Sequence, residues 1–282
     1  MKKRIVFGFL MIVAVAGLLY GDHWLESTEK PWTAGLPIAV GLVLLAAVGL
    51  RELGKLTSAV GAKILGLSGL LGVCALASLP WWWLRVAEAS PPGAVVLTAL
   101  SLSAAAVFAE QMIRARTADA LRRIAVTMLA VVYLGVGSAL LLAVRMDFGV
   151  PTLLLVLAAV KFTDIGAYFT GSFVGRHKLI PWLSPGKSWE GLAGGIAAGA
   201  GIAVLSAAVL GPETLTLPRA AVLGAVLGLA GQFADLCESL LKRSAELKDT
   251  GAVVPEFGGV LDILDSPLLA APVAYAMLML VL

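Results

Sequence analysis

Asp235, Glu238, Lys242, Arg243, Lys248, Asp249, Asp262 and Asp265 crowd together near the end of a chain that is otherwise strongly apolar. Carboxylates in such a group could hold a divalent metal ion, and the Lys and Arg side chains could hold phosphate. Charged groups at membrane depth cost at least a few kcal/mol each, on the order of +2.5 to +3.5 on insertion scales, so a chain that keeps both signs there has a use for them. Read as a helix at about 100° per residue, Glu238, Ser239, Lys242, Glu246 and Asp249 fall within about 60° of Asp235. Leu236, Leu240, Leu241 and Leu247 face the other way. The spacing therefore predicts a helix over 235–249 with one ionic face. A helix end emerging into water accounts for Lys242 to Asp249, but not for Asp235 and Glu238, which lie a turn or more deeper.

Asp262 and Asp265 are three residues apart and share a face if a helix begins near Gly259. Two carboxylates one turn apart repel unless a cation or proton neutralises them, and their oxygens suit Mg²⁺, which takes one or two carboxylates together with substrate phosphates. Capping of that helix explains one Asp and not both. Gly258-Gly259 ahead of it permits close backbone approach.

A second polar region precedes these groups. Lys161 and Asp164 lie one turn apart inside an apolar stretch, and mutual neutralisation is one reading of them. Then come Gly175-Arg176-His177-Lys178 and Ser184-Pro185-Gly186-Lys187-Ser188-Trp189-Glu190-Gly191. Pro and Gly predict a structured loop rather than a helix. The Ser-Pro-Gly-Lys-Ser run lacks the first Gly and the preceding strand of a phosphate-binding P-loop, so that motif is rejected.

These groups have to be positioned by membrane helices. The chain has 282 residues, 60% of them hydrophobic and 14% charged, with a mean hydropathy of +0.96. That composition excludes a soluble globular domain. Two Cys and two His exclude a disulfide framework and a His-rich metal centre. The expected fold is all-α, a polytopic integral membrane protein of about nine transmembrane helices, at roughly 4–20, 36–50, 62–84, 94–111, 124–144, 151–172, 190–210, 219–240 and 260–282. Residues 1–150 read as N-terminal scaffold helices. Residues 151–282 read as the catalytic region. The Gly/Ala run 193–203, with Gly194-Gly195, predicts close helix packing. A homodimer through such small-residue helices is a further expectation.

With the N-terminus in the cytoplasm, inside segments hold Lys2, Lys3 and Arg4, then Arg51, Lys55 and Lys63, then Arg114, Arg116, Arg122 and Arg123, then Arg176, Lys178 and Lys187, and finally Lys242, Arg243 and Lys248. Outside segments hold only Lys30, Arg85, Arg145 and Arg219, and Lys161 is intramembrane. The bias predicts a cytoplasmic N-terminus, an inner-membrane location and a site facing the cytoplasm. Trp81-Trp82-Trp83 then reads as an outer interfacial anchor.

Taken together, the residues from about 160 to 270 resemble the CDP-diacylglycerol synthase family, also called phosphatidate cytidylyltransferases. The family's C-terminal signature appears as Ser239, Lys242-Arg243, Lys248-Asp249, Gly258-Gly259, Asp262 and Asp265. Its other characteristic region appears as Asp164-Ile-Gly-Ala-Tyr168, Gly175-Arg176-His177-Lys178 and Ser184-Pro-x-Lys187-x-Trp189-Glu190-Gly191. Two positions depart from the pattern: Phe257 stands where the family usually has His, and Ile263 where it usually has Arg.

The resemblance implies attack of the phosphate of phosphatidate on the α-phosphorus of CTP, giving CDP-diacylglycerol and pyrophosphate in the lipid bilayer, with no nucleic-acid partner. It implies Asp235 and Asp262 as metal ligands for Mg²⁺, with room for a second cation. Lys242, Arg243, Lys248, Asp249 and Asp265 would serve catalysis. Asp164, Tyr168, Arg176, Lys178, Ser184, Lys187, Glu190 and Ser239 would bind substrate. Two other readings stay open: a CTP-dependent polyprenol or phytol kinase-like enzyme, and a secondary transporter whose carboxylates bind cations.

Overall fold

The computed structural model describes residues 2–27, 33–87, 93–211, 215–247, 250–251 and 258–281, with the backbone alone at 2–9, 11 and 12. Lys248, Asp249 and Phe257 lie outside the described residues. Among the described residues, nine α-helices run in order: α1 (Lys2–Ser27), α2 (Leu36–Ala59), α3 (Gly66–Ala87), α4 (Gly93–Glu110), α5 (Ala120–Ala130), α6 (Gly137–Val174), α7 (Trp189–Leu210), α8 (Leu217–Ser244) and α9 (Leu261–Val281). Wider π-turns extend α4 over Gln111–Ala115 and join α5 to α6 over Val131–Val136.

Among the described residues, seven helical runs are long and apolar enough to cross a membrane. The helical membrane fold is as expected, but the exact count of nine spans is not confirmed. Helix covers the first of them as α1, which is not among the seven. The fifth and sixth, 124–144 and 151–172, lie in one helical run of 55 residues, Ala120–Val174, that a kink divides. Such a run would be about 82 Å long if straight, far beyond the ~30 Å of a hydrocarbon core. It is broken at Gly149, whose φ of 83° and ψ of 169° only glycine adopts readily. Pro151, lacking an N–H, then opens the next helical stretch.

The chain forms two compact units, Met1–Val150 with Ser244–Leu264, and Pro151–Arg243 with Asp265–Leu282. In the first, α2 packs on α3, and α3 packs on α4 and on the Val131–Val136 π-turn. Val73, Leu76, Leu134 and Leu142 are fully buried there. Buried carboxylates cap helices from a distance in this unit. Glu110 accepts the N–H of Ser68 at 2.6 Å at the start of α3, and Arg114 pairs with it at 3.2 Å. Glu52 does the same for the start of α9. Arg145, expected in an outer loop, is instead buried against Asp22 and Glu26 of α1. A lone buried guanidinium would be too costly, and the two carboxylates neutralise it. It is therefore not a solvated loop charge.

In the second unit, glycines bring α6, α7 and α8 together. A Cβ at Gly195 would lie 2.8 Å from the Thr163 carbonyl oxygen, and one at Gly224 would lie 2.7 Å from the Ala203 Cβ. One at Gly194 would collide with Thr170, and one at Gly166 with Ala198. The small residues expected to permit close packing thus pack within this unit.

The loop expected after the sixth span is a two-stranded antiparallel hairpin, β1 (Lys178–Ile180) and β2 (Ser184–Ser188), with Lys178 opposite Ser188 and Ile180 opposite Ser184. This small sheet is the one addition to the all-α expectation among the described residues. The helix expected over 235–249 stops at Ser244, and Glu246 has a φ of 56°. Glu246 therefore leaves the ionic face that a continuous helix would have given it.

Candidate active site

The second unit gathers ionic groups from α6, the hairpin, α8 and α9. On α6, Lys161 and Asp164 follow each other by one turn, with Lys161 Nζ 3.9 Å from Asp164 Oδ2, and Tyr168 comes one turn later. The chain then turns through Gly175 into the hairpin. Ser188 ends the hairpin and caps α7, accepting the Gly191 N–H at 3.1 Å. Glu190 organises the same turn: its carboxylate accepts the N–H of Arg176 at 3.1 Å and pairs with His177 Nδ1 at 2.6 Å.

Helix α8 presents Gln232, Asp235, Glu238 and Lys242 at spacings of three, three and four, which places them along one face. Lys187 of β2 reaches this face. Its Nζ lies 2.6 Å from Asp235 Oδ2 and donates to the Gln232 carbonyl oxygen at 3.2 Å. The Gln232 side chain donates to Asp164 Oδ1 at 2.9 Å, which ties α8 to α6. Lys242 Nζ pairs with Glu238 Oε2 at 2.5 Å one turn along α8.

An open cleft of about 520 Å³ lies over these groups. Six residues expected from sequence to bind substrate or metal line it together: Asp164, Tyr168, Lys178, Ser184, Lys187 and Asp235. Beside it, carboxylate oxygens of Asp235, Glu238 and Asp265 lie within 4.8 Å of one another. Oxygens on opposite sides of an octahedral Mg²⁺ are about 4.2 Å apart, twice the ~2.1 Å Mg–O distance. Hard carboxylate donors at that spread fit a divalent cation with small side-chain movements. Glu238 and Asp265 are buried, at 1% and 4% exposure, so three acidic groups would strongly repel one another without compensating positive charge.

Other expected residues are not among those lining the cleft. Asp262, in the first unit, accepts the Gly259 N–H at 2.6 Å and the Thr250 N–H at 3.2 Å. Arg176 and Arg243 are exposed and Ser239 is half-buried, and none of the three lines the cleft. Glu190 faces the hairpin turn rather than the cleft. Sequence reasoning missed Gln232, although a polar residue three positions before Asp235 in an apolar helix is a readable signal. It noticed Glu238 but assigned it no ligand role.

A polytopic helical membrane protein with a lysine-lined cleft beside clustered carboxylates is equipped to handle phosphates at a membrane. The chain belongs to the Cytidylyltransferase family, whose model matches residues 2–281. It is 28% identical to the phosphatidate cytidylyltransferase of Bacillus subtilis over 284 residues, covering 99% of this chain and 97% of that one. It is 41% identical to proteins of the same name from Mycobacterium leprae and Brucella suis, over 122 and 129 residues. Those alignments span 43% and 45% of this chain, and only 38% and 47% of the relatives' own lengths.

Proposed function

We propose that this chain is a nucleotidyltransferase that moves the cytidylyl group of CTP onto phosphatidate. A phosphatidate oxygen forms a bond to the α-phosphorus, the bond from that phosphorus to the bridging oxygen breaks, and pyrophosphate leaves. The observation that carries the reading is the single cleft lined by Asp164, Tyr168, Lys178, Ser184, Lys187 and Asp235 beside the carboxylates of Glu238 and Asp265. The near end-to-end similarity to the Bacillus subtilis protein supports it.

The nucleophile is already an anion, so little general-base work is needed. The burden is to bring two anions together and to stabilise the departing one. Lys178 and Lys187 supply positive charge inside the cleft, and Lys242 offsets Glu238. Asp235, Glu238 and Asp265 would hold Mg²⁺, which when bound supplies charge neutralisation to the phosphates. Asp262 stays a candidate ligand through the family resemblance, while Arg176, Arg243 and Ser239 are candidates for contacts outside the cleft wall. Acyl chains stay in the bilayer. The site faces the cytoplasm of an inner membrane, and a homodimer is part of the same reading.

Purified chain given labelled CTP and phosphatidate should yield labelled CDP-diacylglycerol and pyrophosphate, and chelation of divalent cations should stop it. Transfer of the γ-phosphoryl group to a lipid alcohol, with no CDP-lipid, would instead identify a kinase.

A further inference from the structure

We propose that Lys187 is a built-in stand-in cation for Asp235: it neutralises that carboxylate until a divalent cation binds, and then passes its charge to the phosphates of the nucleotide. The inference rests on the metal group and substrate of the proposed function. Lys187 Nζ lies 2.6 Å from Asp235 Oδ2, and its side chain is only 16% exposed against 35% for Asp235. Asp235 belongs both to the carboxylate group and to the cleft wall, whereas Lys187 belongs to the cleft wall. The pair therefore joins the place a cation would occupy to the place a triphosphate would occupy.

An ammonium and a divalent cation on neighbouring sides of one carboxylate oxygen repel each other, so they compete for Asp235. The lysine is the one free to leave. It comes from a hairpin strand, on a four-carbon stem with rotatable donors. Lys242 differs in this respect, because it meets Glu238 on the same helix at i,i+4 spacing, where the backbone holds the two side by side. A displaced Lys187 needs an anion, and the nucleotide's phosphates in the cleft provide one. Cation and nucleotide should consequently bind with positive coupling, each favouring the lysine position that the other requires.

The test uses the full chain in detergent, with Mn²⁺ as a spectroscopically visible divalent cation and CTP as nucleotide. In Lys187→Met the charge is removed and the length kept, and Lys187→Gln provides a second, polar variant. Without CTP both variants should bind Mn²⁺ about tenfold tighter than wild type, because Asp235 has lost its competitor. CTP should bind about tenfold more weakly, and the gain in CTP affinity caused by Mn²⁺ should shrink toward none. Adding Asp235→Asn should abolish the tightening. Wild-type or weaker Mn²⁺ binding in both variants, from a parent that binds Mn²⁺ and makes CDP-diacylglycerol, would overturn the exchange and leave the proposed function standing. A parent that binds no Mn²⁺ and makes no product would remove both.

Discussion

Glu52 of α2 accepts the backbone N–H of Leu261 at 2.8 Å, so a residue from the front of the chain caps the first turn of α9. The same carboxylate accepts the Val260 N–H at 3.0 Å and the Thr250 hydroxyl at 3.5 Å, and it is 1% exposed. A Cβ at Gly259 would sit 2.5 Å from Glu52 Oε2, and one at Gly251 would sit 2.7 Å from Glu52 Oε1. The close approach permitted by Gly259 is thus approach to a carboxylate of the protein itself.

Glu52→Ala should destabilise the protein, because two buried amides lose their acceptor at about 1–3 kcal/mol each. Glu52→Gln keeps one acceptor oxygen and should lose less. Thermal unfolding in detergent distinguishes the two, and an alanine variant that melts with wild type would show that the cap contributes nothing.

Asp235→Asn, Asp265→Asn and Glu238→Gln should each lower cation-dependent CDP-diacylglycerol formation by at least about 10²-fold, the usual scale for losing a charge-stabilising group. Asp262→Asn, assayed beside them, separates a ligand from a residue that holds the amides of Thr250 and Gly259. Loss of stability with activity per folded molecule preserved would make Asp262 structural. Wild-type activity in Asp235→Asn would sink the metal assignment.

Two glycines of α7 should respond oppositely to alanine. At Gly195 the added methyl meets the Thr163 carbonyl oxygen at 2.8 Å, while at Gly201 nothing lies within 4 Å. Gly195→Ala should cost about 1–3 kcal/mol through overpacking. Gly201→Ala should be neutral or stabilising by up to about 1 kcal/mol, since alanine favours helix. Comparable melting temperatures for the two variants would contradict the packing described.

The proposed orientation can be read by cysteine labelling after Cys74 and Cys237 are replaced. Thr117, Gly186 and Thr216 are all exposed. Cysteines at 117 and 186 should react only from the cytoplasmic side and one at 216 only from the opposite side. Reversed labelling at 186 would place the cleft on the wrong face for cytoplasmic CTP.

Arg145→Met should be strongly destabilising, by about 3–5 kcal/mol, because it leaves the fully buried Asp22 carboxylate without its positive partner. Arg145→Met combined with Asp22→Leu should recover much of the loss. Equal stability of the single and double variants would show that the pair does not couple.

Much about this protein was determined by the sequence alone, because hydropathy, charge bias and helical spacing are local properties. Apolar runs of membrane length require helices, since lipid offers the backbone no other hydrogen-bond partners. The three-residue spacing of Asp235 and Glu238 puts them on one face of α8 wherever that helix lies. The family signature could be read for the same reason, as residue types at set spacings. Tertiary structure alone decided which carboxylates meet. Asp262 and Asp265 are equivalent by spacing, yet one accepts loop amides and the other joins Asp235 and Glu238. Only the folded chain sets Lys187 against Asp235 and Gln232 against Asp164, across 48 and 68 residues of sequence. It likewise buries Arg145 beside Asp22, 123 residues away, a pairing with no local trace in either segment. Periodicity fixes which way a side chain points from its own helix, but the partner it meets depends on how distant helices pack.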